Sequence, residues 1–399
     1  MYWAGHLVSL SGTWMQAAAQ GWLVLRITDS PLYLGIVSAA GSLPLLFFTL
    51  FGGVLADRFQ KRSLLLLTQG LSVLPAAVLG ALTWLGVVDI WQILTLVTLL
   101  GIVNSLDIPV RQSFIIDLVE PASLPHAIAL NAAAFNAARM IGPAIAGFII
   151  GWVGLHVCFF LNSLSFGASL LALYLVRPRG NGNAGTDETG VFERMKEGFA
   201  YLRQDRGVLA LMILVSVFSL FGLPYATLLP VFARDILHVD SQGYGLMMSC
   251  VGFGALLGAV WLAFRVSGTT NRVIRLAGLI FGGGMVAFSR SPILPLSMLL
   301  LFFTGISAVV VISSINVGIQ KNVPDHLRGR VMSIYTTLFL GMFPIGSLIM
   351  GGLSQAFGVQ VAVGLGGILC MVSVAVMPGL GGASHAGARL EGAGSPPAV

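Results

Sequence analysis

The feature that most constrains this chain is a series of long apolar segments without a charged residue. Residues 331–388 contain no Asp, Glu, Lys or Arg, and the segments 30–56 and 63–88 are equally free of charge. A helix needs about 20 apolar residues to cross roughly 30 Å of bilayer hydrocarbon. Repeated segments of this length predict an all-α, polytopic membrane protein.

The composition excludes a soluble protein of this length. Charged residues make up 9% of the 399 residues and hydrophobic residues 56%, whereas soluble domains carry about 25% charged residues. The net charge of +6 does not indicate nucleic-acid binding, because the basic residues stand singly or in twos and threes between apolar segments. We therefore expect lipid rather than water around the chain, and no nucleic-acid partner.

Counting the apolar segments gives twelve transmembrane helices. An even number places both termini on the same side of the membrane. The predicted spans are 1–25, 30–56, 63–88, 90–110, two within 127–176 that are divided near Gly154, 207–233, 241–264, 273–289, 291–320 and two within 331–388 that are divided near Gly358.

The distribution of lysine and arginine predicts the orientation. If the termini are cytoplasmic, 17 of the 21 basic residues face the cytoplasm, three (Arg26, Arg234 and Arg290) face outward, and Arg139 lies within a span. Cytoplasmic loops of membrane proteins carry an excess of Lys and Arg. The sequence thus predicts cytoplasmic N and C termini in a multi-pass protein of the plasma (cell inner) membrane.

A central hydrophilic stretch divides the chain into two sets of six spans. We expect a six-helix bundle at 1–176, a cytoplasmic linker at 177–206, a second six-helix bundle at 207–378 and a disordered tail at 379–399. Within the linker, residues 193–202 have the pattern of a short amphipathic helix on the membrane surface.

A weak internal repeat accompanies this division. At an offset of 211 residues, Asp29-Ser30 aligns with Asp240-Ser241 and Tyr33 with Tyr244. Secondary transporters are commonly built from repeated bundles. Chance matches between apolar segments are the alternative explanation.

The loop after the second span carries the first family motif, residues 52–62, GGVLADRFQKR. It resembles the signature loop of the major facilitator superfamily, although Gln60 stands where a glycine is usual. The resemblance implies that these charges hold the two bundles together on the cytoplasmic side in the outward-facing state; the alternative is a topology signal only. The predicted cytoplasmic gate comprises Gly53, Asp57, Arg58, Lys61, Arg62 and Arg111.

The fifth span contains a second motif at residues 139–147, RMIGPAIAG. It resembles the Gly-Pro antiporter motif of exporters in the same superfamily. Pro143 removes a backbone hydrogen bond and bends the helix, while Gly142 and Gly147 permit close packing against the glycine-rich residues 252–258. An ordinary helix kink is the alternative.

Three further segments narrow the resemblance to one branch of the superfamily. Residues 104–112, NSLDIPVRQ, together with 12–16 and 325–330, resemble the drug:proton antiporters that include enterobactin and macrolide exporters. The resemblance covers nearly the whole chain. It implies export of a small-molecule substrate in exchange for protons, with no cofactor and no enzymatic activity.

Exclusion identifies a candidate for proton coupling. Of the fifteen acidic residues, only Asp107 falls within a predicted span, and Arg139 is the only basic residue that we expect inside the membrane, since Arg275 lies at the cytoplasmic end of its span. Charged residues in the membrane are costly and are usually paired and functional. We expect Asp107 to carry or sense the proton with Arg139 or Arg111 as its partner. A structural ion pair about one turn inside the cytoplasmic boundary is the alternative.

A weakly polar stripe in the first span is a candidate for substrate contact. Each of its residues is equally compatible with interhelical hydrogen bonding or packing. The predicted substrate-cavity residues are Trp14, Gln16, Gln20, Asn136, Phe221 and Asn316.

These observations predict a transporter that works by alternating access around a mostly apolar cavity and exports small amphipathic molecules, such as drugs or siderophores. No Walker loop and no HxxxH pair is present, so neither ATP hydrolysis nor metal binding is indicated. We expect a monomer. The alternatives are an importer or lysophospholipid flippase of the same fold, and, from another class, a non-transporting membrane sensor or a membrane-integral enzyme.

Overall fold

The computed structural model describes residues 2–176, 200–264 and 271–377, and these residues are almost entirely helical. The predicted tail at 379–399 and most of the predicted amphipathic helix at 193–202 lie outside the described residues.

The described part of the chain forms twelve long helical segments. Eleven of them are long and apolar enough to cross a membrane. The first, α1, has 27 residues and is less apolar because it carries polar residues such as Gln16 and Gln20. The segments are α1 Tyr2–Thr28, α2 Pro31–Arg58, α3 Lys61–Trp84, α4 Ile90–Leu118, α5 Leu124–Trp152, α6 Leu155–Leu175, α7 Arg206–Ile236, α8 Ser241–Ala263, α9 Asn271–Ser289, α10 Leu294–Asn322, α11 Asp325–Phe357 and α12 Val359–Val376.

Local sequence explains where several helices begin and break. The carboxylates of Asp205 and Asp240 accept hydrogen bonds from backbone N–H groups in the first turns of α7 and α8, as N-cap residues do. The short breaks before α6 and α12 contain Gly154 and Gly358, whose φ angles are 118° and 87°. Only glycine adopts such angles without strain, which explains why the predicted breaks near these residues are correct.

Helix α7 is irregular through its second half. It widens into π turns at Phe218–Gly222 and Phe232–Ile236, and tightens into a 3₁₀ turn at Leu223–Leu228. Two prolines, Pro224 and Pro230, lie in this stretch and remove backbone donors. The irregularity falls near the middle of the span and positions Tyr225 there.

The helices of the first six pack in the same pattern as those of the last six. Helix α2 packs on α4 as α8 packs on α10, and α3 packs on α6 and α4 as α9 packs on α12 and α10. Each contact is thus repeated six helices later, which is the pattern expected of a duplicated bundle.

The two six-helix groups meet mainly through α2 with α11 and α5 with α8. We call the face that carries the turns at 29–30 and 237–240 the joined face, and the face that carries the turns at 59–60 and 119–123 the opposite face. The close approaches of Pro31 to Gly351 and of Gly147 to Ser241 lie near the joined face. Leu46 contacts Gly341 near the middle of α2 and α11.

The largest departure from the predicted boundaries is at the end of the fourth span. The fourth span was expected to end at residue 110, with Arg111 in a loop, but α4 continues to Leu118 and Arg111 is 8% exposed inside it. The reason is that Asp107 and Arg111 neutralise each other one helical turn apart, so a charge pair does not end the helix. Without Arg111 the charge bias is 16 to 3 instead of 17 to 3, and the predicted orientation is unchanged.

Candidate functional site

The Asp107 carboxylate is the centre of a buried polar cluster within the first six helices. Asp107 is 7% exposed and accepts hydrogen bonds from Thr68 Oγ1 at 2.6 Å and Gln69 Nε2 at 3.0 Å, both on α3. Arg111 binds it through two nitrogens, at 2.8 Å to Oδ2 and 3.1 Å to Oδ1. Such a bidentate, charge-assisted pair is the arrangement that best compensates a buried carboxylate.

Arg111 also connects this cluster to α1. Its Nη1 lies 3.3 Å from Nδ1 of His6, and the His6 ring is stacked against Tyr2 with ring centroids 5.8 Å apart. Ser9, on the same helix, donates to Gln69 at 3.4 Å. A change in the charge of Asp107 would therefore be felt by three helices, α1, α3 and α4.

Asp107 lies well inside α4. Eleven residues separate it from the end of the helix at Leu118. At a rise of 1.5 Å per residue, this distance is about 16 Å along the helix axis. Its depth of about one turn below the membrane boundary remains a prediction.

Arg139 is not brought to Asp107. It lies halfway along α5, with its guanidinium over the ring of Trp14 at 5.5 Å from the centroid. Of the two partners left open for Asp107, the structure pairs it with Arg111. The predicted proton-coupling pair Asp107 and Arg139 is thus two separate features of the same bundle.

The basic residues at the start of α3 bind within their own six-helix group. Lys61 pairs with Asp117 of α4 at 2.8 Å, and Arg62 Nε donates to the Leu173 carbonyl oxygen at the end of α6 at 2.9 Å. Arg58 is exposed. Gly53 and Asp57 lie in the last turns of α2, and their side-chain positions fall outside the described part of the structure.

The Gly-Pro motif lies at two helix crossings. A Cβ at Gly142 would be 2.6 Å from the Ser11 carbonyl oxygen of α1, and a Cβ at Gly147 would be 2.6 Å from the Ser241 carbonyl oxygen of α8. Pro143 is buried inside α5, and its carbonyl oxygen lies beside Gly245. The motif thus packs α5 against α1 on one side and against the other six-helix group on the opposite side.

The predicted cavity residues divide into two kinds. Gln16 is 5% exposed and accepts a hydrogen bond from Asn162 of α6 at 2.7 Å, and Asn136, 8% exposed, donates to the Ala132 carbonyl oxygen of its own helix. The first hydrogen bond joins α1 to α6, and the second lies within α5. The other four residues are half-buried: Trp14, Gln20, Phe221 and Asn316. The Asn316 amide oxygen accepts a hydrogen bond from the Gln320 side chain.

Two contacts between the six-helix groups were not predicted. At the joined face Arg234 of α7 binds Asp29 at 2.6 Å, and Ser30 donates to Gln355 at 2.7 Å. Asp29 was available as a signal, because it stands at the start of the internal repeat. Its φ of 51° is matched by the same φ at His238 in the corresponding turn, a conformation uncommon for residues other than glycine.

The repeated packing of two six-helix groups and the interface between them define a multi-span membrane protein with the major facilitator fold. The solved structure of a bacterial homologue of the human lysosomal transporter Spinster, in an inward-facing and occupied conformation, superimposes with a TM-score of 0.74 at 12% identity, covering 94% of each chain. The model of the transmembrane secretion effector family matches residues 1–380. The chain belongs to this family of the major facilitator superfamily.

Similar curated proteins are exporters and a siderophore transporter. The staphyloferrin A transporter of Staphylococcus aureus is 27% identical, covering 94% of both chains. The multidrug efflux pump Tap of Mycolicibacterium fortuitum is 28% identical, covering 89% of this chain and 88% of that one. Macrolide efflux protein A of Streptococcus pyogenes is 21% identical, covering 94% of both. The predicted resemblance to exporters of this superfamily is confirmed, as is the prediction that the chain is not an enzyme.

Proposed function

We propose that this protein exports small amphipathic molecules across the plasma membrane by proton antiport. The observation that carries the proposal is the Asp107 cluster, a buried carboxylate within hydrogen-bond reach of four donor atoms, in a chain whose relatives include efflux pumps. A carboxylate in the membrane that can gain and lose a proton provides a coupling site.

Protonation of Asp107 would change the contacts that hold α1, α3 and α4 together. A neutral carboxyl group loses most of its attraction for Arg111, and its added proton removes one acceptor position from Thr68 or Gln69. The guanidinium would then turn toward His6 or water. We infer that this rearrangement, inside the first bundle, biases the angle between the bundles.

The motion we propose is alternating access between the two bundles, residues 1–176 and 207–378. The interface is built from corresponding helices. Helices α2 and α5 of the first bundle correspond to α8 and α11 of the second, and the interface pairs α2 with α11 and α5 with α8. A rocking motion about such an interface alternately exposes a site near the bilayer midplane. In our scheme all twelve helices cross the membrane, and the opposite face is cytoplasmic, with both termini.

Energy arithmetic agrees with a single coupling carboxylate. One proton moving through 100 mV supplies about 2.3 kcal/mol, and one pH unit adds about 1.4 kcal/mol. Their sum sustains roughly a 400-fold gradient of cargo at 1.4 kcal/mol per tenfold. One proton per molecule is therefore enough for efflux. We propose that the protein works as a monomer.

Accumulation in everted membrane vesicles tests this function. A panel of lipophilic dyes, macrolides and siderophores is offered to vesicles energised to an acidic interior, with and without a protonophore. We expect accumulation of at least one amphipathic compound that the protonophore abolishes. Accumulation unaffected by the protonophore, or movement only in the opposite direction, would contradict proton-coupled export.

A further inference from the structure

His6 of α1 lies beside the guanidinium of Arg111, buried inside the first six-helix group. Its Nδ1 atom is 3.3 Å from Arg111 Nη1, and the two residues are 6% and 8% exposed. An arginine side chain has N–H donors and no acceptor. His6 Nδ1 must therefore be the acceptor in this contact, and the neutral imidazole then carries its proton on Nε2.

This contact also excludes His6 as a proton carrier in the arrangement that the structure shows. A proton on Nδ1 would place an N–H donor and a second positive charge against the guanidinium. Two like charges at this distance repel each other strongly where water is largely excluded. The role that the geometry leaves for His6 is to accept a hydrogen bond from Arg111.

Aromatic neighbours fix the direction of the His6 ring. Tyr2 is stacked on it, with the ring centroids 5.8 Å apart and an angle of 18° between the planes. Tyr2 in turn meets the buried ring of Phe114, on α4, edge-on at a centroid distance of 5.8 Å. An acceptor whose direction is fixed by packing provides a preorganised contact for the guanidinium.

Loss of the Asp107 charge would leave Arg111 as a cation inside the membrane without its counter-charge. Such a cation is costly unless other groups bind it. Within the described residues, Arg111 has hydrogen bonds to Asp107 and to His6. His6 is thus the acceptor from another helix that stays in place when the carboxyl group becomes neutral.

We propose that His6 is a positioning residue that holds the Arg111 guanidinium while Asp107 is protonated. This inference rests on the proposed role of Asp107 as the proton site and concerns the regulation of that site. The contact matters less while Asp107 is ionised, because Arg111 then keeps two hydrogen bonds to the carboxylate. His6 therefore stabilises the protonated state more than the ionised state, and it sets the pH range in which the proton is bound.

The charged surroundings of the pair come from few helices. The titratable groups that interact with one another here are two on α1 and two on α4: Tyr2, His6, Asp107 and Arg111. Helix α3 contributes the two uncharged side chains that donate to the carboxylate. Arg139 of α5 lies over Trp14, farther along α1, and Arg58 at the end of α2 is exposed. A change in the charge of Asp107 thus acts first on Arg111 and through it on His6.

Infrared difference spectroscopy of the full-length protein in lipid nanodiscs tests the proposal without any cargo. The C=O band of the protonated Asp107 carboxyl group, identified by its absence from Asp107→Asn, is followed as a function of pH. We expect His6→Leu to weaken proton binding about tenfold, as for the loss of one hydrogen bond to a charged group, which moves the midpoint about one pH unit lower. His6→Asn, whose amide oxygen can take the place of Nδ1, should stay within about twofold of wild type.

His326→Leu is the matched control, because this exposed histidine stands at the start of α11 in the second bundle. It should leave the midpoint unchanged. An unchanged midpoint in a folded His6→Leu variant would overturn the proposal. So would an equal shift in His6→Asn, because packing rather than an acceptor would then explain the effect.

Nitrogen NMR of the wild-type protein labelled at histidine tests the tautomer directly and does not depend on the folding of His6→Leu. The His6 signals are those missing from the spectrum of His6→Asn. We expect Nδ1 without a proton and Nε2 with one at neutral pH. A proton on Nδ1 would overturn the proposal.

A double-mutant cycle separates failure of this inference from failure of the proposed function. Unfolding temperatures are compared for wild type, His6→Leu, Asp107→Asn and the double variant, and none of them requires proton transport. We expect His6→Leu to lower the unfolding temperature roughly twice as far in the Asp107→Asn background, because interacting residues are not additive. Such coupling without a pH-dependent carboxyl band would remove Asp107 as the proton site and leave His6 as the anchor of Arg111. A titrating band whose midpoint ignores His6, with additive unfolding temperatures, would do the reverse.

Discussion

At Asp107 the carboxylate and the Arg111 guanidinium depend on each other. Each would be an uncompensated charge inside the membrane without the other, and removing one member of a buried pair typically costs about 3–5 kcal/mol. Thr68 and Gln69 add hydrogen bonds that only α3 can provide. The pair is therefore both a structural fixture and, in our proposal, the proton site.

Asp107→Asn should abolish proton-coupled export while preserving cargo binding. The amide cannot be ionised, so the step that depends on the proton is lost, and Arg111 loses its counter-charge. We expect a fall in protonophore-sensitive accumulation of more than tenfold, measured in everted vesicles, and a lowered unfolding temperature.

Asp117→Asn is the matched control for this substitution. Asp117 lies on the same helix, but it pairs with Lys61 near the end of α4. Its replacement should leave coupling intact. Coupled export that survives in Asp107→Asn, or that is lost equally in both variants, would exclude Asp107 as the proton site.

Sequence alone identified Asp107 but not its surroundings. The carboxylate could be identified because Asp107 is the one acidic residue inside a predicted span, and a charge within an apolar segment is visible in the sequence itself. Its donors on α3, Thr68 and Gln69, are 39 and 38 residues away along the chain. Their proximity depends on how α3 and α4 pack, and no local pattern encodes that contact.

At the scale of the helices, α5 meets two neighbours through glycines. Gly142 and Gly147 face different helices, and at each a carbonyl oxygen lies 2.6 Å from the position that a Cβ would occupy. Close backbone approach of this kind is a recurrent way of packing helices in membranes. The contact of Gly147 with α8 is also a contact between the two bundles, so it must open and close if the bundles rock.

Gly147→Ala should impair transport by holding α5 away from α8. Overpacking at such a contact costs about 1–3 kcal/mol, and it acts only in conformations where the two helices meet. We expect at least a fivefold reduction in the maximal rate of dye accumulation. The control is Gly167→Ala in α6, because no atom lies within 4 Å of the position that its Cβ would occupy.

Equal rates for Gly147→Ala and Gly167→Ala would mean that the approach of α5 to α8 is not needed for transport.

The boundaries of the helices were largely predictable from the sequence, because the length of a charge-free segment marks a span and Gly154 and Gly358 mark the breaks. The irregular turns of α7 were not, since they arise where Pro224 and Pro230 interrupt an otherwise apolar helix.

On the scale of the whole molecule, the two bundles are held together at the joined face by charge as well as by packing. Arg234 binds Asp29 across the bundle interface and Asp235 beside it. Both carboxylates are exposed and the Arg234 side chain is 35% exposed, so these ion pairs stabilise the interface only modestly and in a way that is sensitive to salt. The alignment of Asp29-Ser30 with Asp240-Ser241 in the sequence indicated that the packing is repeated in the two bundles. The ion pair between Arg234 and Asp29 could not be predicted, because it depends on how the two bundles are arranged in three dimensions.

Arg234→Gln should reduce the time that the joined face spends in contact. We expect slower oxidative cross-linking of the pair Ser30→Cys and Gln355→Cys, by roughly twofold to fivefold at low salt, because an exposed ion pair biases rather than fixes the conformation. The difference should shrink as salt screens the charges. Arg290→Gln serves as the control, and an identical slowing in both variants would rule out a specific role for Arg234.

Alternating access is tested most directly by locking the joined face. Ser30 and Gln355 are in hydrogen-bond contact there, and Ser30→Cys with Gln355→Cys is introduced after Cys158, Cys250 and Cys370 are replaced by alanine. Dye accumulation in everted vesicles is then measured before oxidation, after oxidation and after reduction. We predict that the cross-link stops accumulation and that reduction restores it, while either single cysteine has no such effect. Undiminished accumulation by fully cross-linked protein would contradict the account.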